Sequence, residues 1–179
     1  MPRGYRRRYR GYRSAKSRYS NETAVITHNQ LTTLDTGDTF PKGQIEDKNY
    51  VGFPVVPSTS TYGTRKAKNF EISLTTDQLT NPLVCALVYV PQGTLASDFN
   101  VDTPTLDKVS SLYEPNQNVI CQFMIPANGT SNAPQITKVK TRLARNLDSG
   151  DQIVMIFAPI GPISTAFALG ATVNYAIKY

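Results

Sequence analysis

The feature that most constrains this chain is a rhythm of two. In "NFEISLTT" (residues 69–76), Phe70, Ile72 and Leu74 alternate with polar neighbours. An extended strand gathers those apolar side chains on one face, whereas a helix scatters them. A second kind of segment is apolar throughout. "NPLVCALVYVPQG" (81–93) runs from Leu83 to Val90 before Pro91 and Gly93 close it, the pattern of a strand buried on both faces. "NVICQFMI" (118–125) reads the same way, and "DQIVMIFAP" (151–159) is a further apolar strand. "QITKVKTRLARNL" (135–147) alternates again, with Ile136 apart from Val139, Thr141 and Leu143. "TAVITH" (23–28), "NYVGFPVV" (49–56) and "ALGATVNYAIKY" (168–179) bring the total to about eight strands. No window carries an apolar repeat of helical period, and "DKVSSLYEP" (107–115) has room for one helical turn. Strands joined by Pro-, Gly- and Asn-bearing connections predict an all-β sandwich or barrel.

The connections add detail. "RNLDSGD" (145–151) reads as a tight hairpin between adjacent antiparallel strands, with Asp148 and Ser149 in a type I turn and Gly150 in the left-handed position after it. Residues 29–48, 57–67 and 92–117 read as long connections, the kind that a small sandwich spends on contacts. From Gln152 to Ile177 no residue is charged, a length that also suits a membrane span. Pro159, Gly161 and Pro162 interrupt it, and Val173, Tyr175 and Ile177 alternate near its end. Two buried strands with a proline-bounded loop between them fit better than membrane insertion.

Charge divides the chain sharply. Residues 1–19, "MPRGYRRRYRGYRSAKSRY", hold eight of the nineteen Arg and Lys residues and none of the thirteen Asp and Glu. The remainder is slightly acidic, so the layout is a basic arm (1–19) on a near-neutral folded domain (20–179). The arm lacks the apolar core of a secretory signal, and its Tyr, Gly and Ser positions do not make the amphipathic helix of a transit peptide. Cys85 and Cys121 sit in apolar runs and read as buried free thiols of a reducing compartment.

Reactive groups are sparse. His28 is the single histidine, so no histidine pair can share a metal or divide acid and base roles. Neither cysteine has a CxxC partner, and no phosphate-binding glycine loop or GxSxG elbow occurs. Asp35, Asp38, Glu46 and Asp47 are scattered through a connection. The expectation is a protein that is not an enzyme, with no cofactor and no metal site.

The arm carries a mechanism of its own. Arg3, Arg6, Arg7, Arg8, Arg10, Arg13, Lys16 and Arg18 bind a polyanion through phosphate contacts and counterion release, whatever its sequence. Tyr5, Tyr9 and Tyr12 are each followed by arginine, so a ring can stack on an unpaired base while the neighbouring guanidinium meets phosphate. That interleaving favours single-stranded nucleic acid. Gly4 and Gly11 oppose a stable helix, and the free arm is expected to be disordered. The same arginines suit a nuclear localisation signal.

An Arg-rich arm on a small all-β domain is the layout of a viral coat protein. "VYVPQGT", "SSLYEPNQNVI", "RNLDSGDQIVMI" and the terminal "VNYAIKY" resemble capsid proteins of circular, replication-protein-encoding single-stranded DNA viruses, the circovirus- and nanovirus-like group. The resemblance covers the arm and residues 82–179, leaving 29–67 without a counterpart. It implies a single eight-stranded jelly-roll sandwich, a self-assembling icosahedral shell of about sixty copies, and arms directed inward onto a single-stranded DNA genome. It also implies partnership with host nuclear import machinery and an unspecified host receptor, with location in the virion and, during assembly, the host nucleus. The chain departs from the circovirus pattern in being shorter, with a briefer arm. Two other readings share the layout. One is the coat protein of a small RNA virus or satellite, since stacking and charge do not read the 2′-hydroxyl. The other is a host single-stranded nucleic-acid-binding protein with a basic tail, for which "RKAK" (65–68) and "KVKTRLAR" (138–145) are the only body clusters.

Overall fold

The computed structural model describes residues 18–31, 51–60, 63–93, 118–129, 133–159 and 167–179, and for 28–31, 51 and 158–159 it describes the backbone alone. Within these lie eight strands: β1 (Ser20–Leu31), β2 (Val51–Val56), β3 (Arg65–Asp77), β4 (Leu83–Val90), β5 (Val119–Ile125), β6 (Gln135–Leu147), β7 (Gln152–Pro159) and β8 (Phe167–Lys178). They form two four-stranded antiparallel sheets, ordered β1-β8-β3-β6 and β2-β7-β4-β5. The outermost strands of the sequence pair with each other, then the next pair inward, down to β4 with β5. That nesting is one long hairpin rolled into two sheets, the jelly roll.

Period-two burial produces the core. Phe70, Ile72 and Leu74 of β3 and Ala171, Val173, Tyr175 and Ile177 of β8 turn inward. Leu83, Cys85 and Leu87 of β4 and Ile153, Met155 and Phe157 of β7 belong to the same buried cluster. Phe70 stacks on Tyr175 with centroids 5.9 Å apart, and Phe53 meets Phe157 edge-on at 5.7 Å, adding directional contacts to the area buried. The opposite faces of β4 and β7 are buried too, through Ala86, Val88, Val90, Val154 and Ile156. Strands buried on both faces read as continuous apolar runs, as expected for β4. The long uncharged stretch supplies β7 and β8, one strand to each sheet. No helix among the described residues is long and apolar enough to cross a membrane.

Five local expectations need correction. The run at 118–125, expected to bury both faces, is the edge strand β5, with Met124 54% exposed. The Asp148–Asp151 turn exists, with Asp151 N–H donating to Asp148 O at 3.2 Å and Gly150 at φ 87°. It does not close a hairpin, because β6 and β7 lie in different sheets. β7 must bury both faces, and a place beside the edge strand β6 would leave it half exposed. The connection expected at 57–67 is shorter, since β3 already begins at Arg65. Leu143 is exposed rather than on the face of Val139 and Thr141. Cys121 is only partly buried, whereas Cys85 is fully buried. The expected helical turn at 107–115 and most of the 29–48 and 92–117 connections lie outside the described residues.

One bulge explains two of these corrections. Asn69 adopts φ 56°, and the register of β3 shifts there against both β6 and β8. An extra residue in a strand reverses which side chains face inward. Arg65 and Ala67 point inward before the bulge, and Phe70, Ile72 and Leu74 after it. The partner shift in β6, between Thr141 and Ala144, turns Leu143 outward and Leu147 into the core. Asparagine tolerates the left-handed region better than most residues.

The corner between the sheets is held by Asp151, only 5% exposed. Its carboxylate accepts hydrogen bonds from Tyr89 Oη at 2.6 Å, Asp148 N at 2.8 Å and Gln92 N at 2.9 Å. Arg65 donates to Asp151 O and to Pro57 O, each at 3.0 Å, and Gly150 N–H reaches Thr59 O at 2.9 Å. Burial alone would raise the Asp151 pKa, but these hydrogen bonds and the Arg65 charge hold it below the ordinary carboxylate value. Burial, then the bond and charge of Asp151, push the Tyr89 phenol up to about 12.

Candidate nucleic-acid interface

Of the residues expected to bind nucleic acid, Arg3, Tyr5, Arg6, Arg7, Arg8, Tyr9, Arg10, Tyr12, Arg13 and Lys16 lie outside the described residues. Arg18 is described, and it is exposed. Tyr19 follows, and its ring lies under the Lys68 ammonium at 3.9 Å from the centroid, a cation–π contact. Ser20 then pairs with Ile177, placing the root of the arm at one end of the β1-β8-β3-β6 sheet. Because Lys68 belongs to β3, Tyr19 reaches across β8 to touch it.

The outward face of that sheet can be read row by row. Lys66 stands opposite Lys178 on one side and Asn146 on the other. Lys68 stands between Ala176 and Ala144. Below them runs Lys140–Glu71–Asn174–Thr23, with Lys140 Nζ 2.7 Å from Glu71 Oε1 and Thr23 Oγ1 donating to Asn174 Oδ1 at 2.7 Å. The next rows are Lys138–Ser73–Thr172–Val25 and Ile136–Thr75–Gly170–Thr27. Arg142 is exposed at the β6 bulge. Small side chains make the middle of this face flat, and a Cβ added at Gly170 would meet no atom within 4 Å.

Folding thus brings together the two body clusters seen in the sequence, on adjacent strands β3 and β6, but not all of their members. Arg65 is spent on the corner, 7% exposed. Arg145 lies close enough to Tyr89 for its charge to oppose the upward shift of that phenol. The outward cations are Lys66, Lys68, Lys138, Lys140, Arg142 and Lys178. Among the described residues Glu71 is the carboxylate in their midst, already engaged by Lys140, and Asp77 stands at the far end of β3. The sequence alone does not mark Lys178. Its one signal is the alternation of the last strand, which says that it faces away from Ile177 but not what stands opposite.

Other chemistry gathers less. Among the described residues no three His, Cys, Asp or Glu side chains lie together as metal ligands. Desolvation raises both thiols, with Cys121 at about 11 and Cys85 higher still, so each stays protonated near neutral pH. The sequence matches no protein-family model and no curated protein. Among solved structures 25 chains match. One is dimeric latent PorU from Porphyromonas gingivalis, 13% identical with a TM-score of 0.33, in a match covering 93% of this chain and 14% of that one. A similarity so slight bears on neither fold nor function.

Proposed function

We propose that this chain is the coat protein of a small single-stranded DNA virus. Copies numbering about sixty close into an icosahedral shell, and the arm residues Arg3 to Arg18 neutralise the enclosed genome. The observation that carries this reading is the joining of an exclusively basic arm, through Arg18 and Tyr19, to the first strand of a jelly roll. The charge division supports it. A near-neutral body packs against its own copies without strong repulsion, while the arm supplies the polyanion contacts. The four body phrases quoted above favour DNA over RNA by resemblance, and the arginines double as a nuclear import signal.

Electron microscopy of the purified full-length protein tests the proposal, paired with nuclease treatment and extraction of what survives. The expected result is uniform small shells holding protected single-stranded DNA. A monomer or dimer that loses all nucleic acid to nuclease would refute the coat-protein reading. Protected RNA would move the assignment to an RNA virus or satellite.

A further inference from the structure

We infer that the outward face of the β1-β8-β3-β6 sheet is a second binding surface for single-stranded polynucleotide, centred on Lys66, Lys68 and Lys178. The inference rests on the nucleic-acid reading of the arm and extends it from the arm to the folded body.

Three observations carry it. The first is an uncompensated charge: Lys66 and Lys178 occupy directly opposed positions on neighbouring strands. Like charges so placed destabilise a sheet, and among the described residues no carboxylate is paired with either. Lys68 lies on the same face of β3, about 7 Å along the strand from Lys66, with Lys178 about 5 Å to the side. A phosphate backbone crossing this point removes the repulsion that the free protein carries. The second is continuity. The Tyr19–Lys68 contact draws the root of the arm over this same end of the sheet, so a strand held by Arg18 meets the three lysines next. The third is shape. Along β8 the outward positions Ala176, Asn174, Thr172 and Gly170 carry no bulky side chain, leaving a shallow path from that end of the sheet beside the exposed Lys140–Glu71 ion pair. When a phosphate takes the Lys68 ammonium, the Tyr19 ring is released to stack on a base.

The test uses the full-length protein with its arm intact and a labelled oligothymidylate, with affinity measured between 50 and 200 mM salt, a range set for the assay at about one fourfold step. Each phosphate contact on a single strand contributes about 0.7 to the slope of log affinity against log salt. The triple variant Lys66→Gln, Lys68→Gln, Lys178→Gln is expected to lower that slope by about 2, so its deficit against the parent shrinks about twentyfold across the range. Relief of the Lys66–Lys178 repulsion keeps its melting temperature at or above the parent's in low salt. Lys178→Gln alone, expected to lower the slope by about 0.7, serves if the triple variant folds poorly. An unchanged slope in these variants, beside a reduced slope when Arg6, Arg7, Arg8 and Arg10 are changed to Gln, would overturn the inference and leave the arm as the binder. Unchanged oligonucleotide binding with loss of assembly would overturn it in favour of a contact between copies. A parent protein with no salt-dependent binding would instead bring down the proposed function itself.

Discussion

Replacing Asp151 tests how the two sheets are held in register at their corner. Its carboxylate accepts from Tyr89, Asp148 and Gln92, at 2.6, 2.8 and 2.9 Å. A hydrogen bond to a charged group contributes about 1.5–3 kcal/mol, and stranding a buried partner costs about 1–3 kcal/mol. The terms do not add fully, because water reaches the exposed Gln92 and Asp148 once the side chain is shortened. Asp151→Ala is therefore expected to cost about 3 kcal/mol, a shift of about 6–12 °C in melting temperature for a domain of this size. Asp151→Asn, which keeps one acceptor oxygen, should cost about 2 kcal/mol and Tyr89→Phe about 1.5 kcal/mol. Urea unfolding followed by circular dichroism supplies the values. The double variant should reveal at least about 1 kcal/mol of coupling between Tyr89 and Asp151. A coupling of zero, or an Asp151→Ala cost below about 0.5 kcal/mol, would refute the assignment of this corner as a structural hub. The pH dependence carries its own sign. The Asp151 pKa is depressed on folding, so its stabilisation is present above the ordinary carboxylate value and lost as pH falls through the folded value. The Tyr89 pKa is raised from 10.0 to about 12, so its stabilisation is intact below 10 and lost as pH climbs toward 12. Tyr89→Phe should abolish that alkaline loss and also shrink the acid limb, because the Tyr89 hydrogen bond is the foremost of the contacts that hold the Asp151 pKa down.

Five further substitutions at four positions separate backbone strain, close approach and burial, each measured by the same unfolding assay. Asn69 holds φ 56° at the β3 bulge, so Asn69→Gly should be neutral within about 0.5 kcal/mol while Asn69→Val costs about 2 kcal/mol. Equal effects would show that the bulge does not depend on left-handed backbone. At Gly150, φ is 87° and a Cβ would fall 2.5 Å from Gln92 Cγ and 2.9 Å from Gln92 Cβ. Gly150→Ala should therefore cost about 2–3 kcal/mol, since Gln92 must move and its N–H is bound to Asp151. Leu74→Ala, at a fully buried core position, should cost about 2–5 kcal/mol. Ile136→Ser should stay within about 0.5 kcal/mol, because Ile136 is 64% exposed at the outer edge of β6.

Under the coat-protein proposal, the basic face would bear on how a brief arm holds its genome. The arm has eight cations, and each neutralises about one phosphate. Cations fixed on a sheet would bind with little loss of conformational freedom, and so at a low entropic cost.

What the sequence alone determined was local and periodic. Alternation in 69–76 and the continuous apolar run in 83–90 reported strands and the number of faces that each buries, because side-chain direction follows the backbone period. The apolar run in 118–125 reported a strand but not that it would lie at a sheet edge. The charge division marked the arm, since a basic tail and a neutral body are properties of composition. Partnership was settled by tertiary structure. The turn residues around Gly150 specify a reversal of direction, and only the burial requirement of β7 sends that strand to the opposite sheet. Residues 65–68 were invisible as part of β3 because the Asn69 bulge breaks the alternation that a sequence pattern relies on. Lys178 became meaningful once β8 was paired with β3, which set it opposite Lys66 across more than a hundred residues of chain. Periodicity is a one-dimensional signal of which face a residue occupies. Which charges share that face depends on strand order, and strand order is fixed by closing the core.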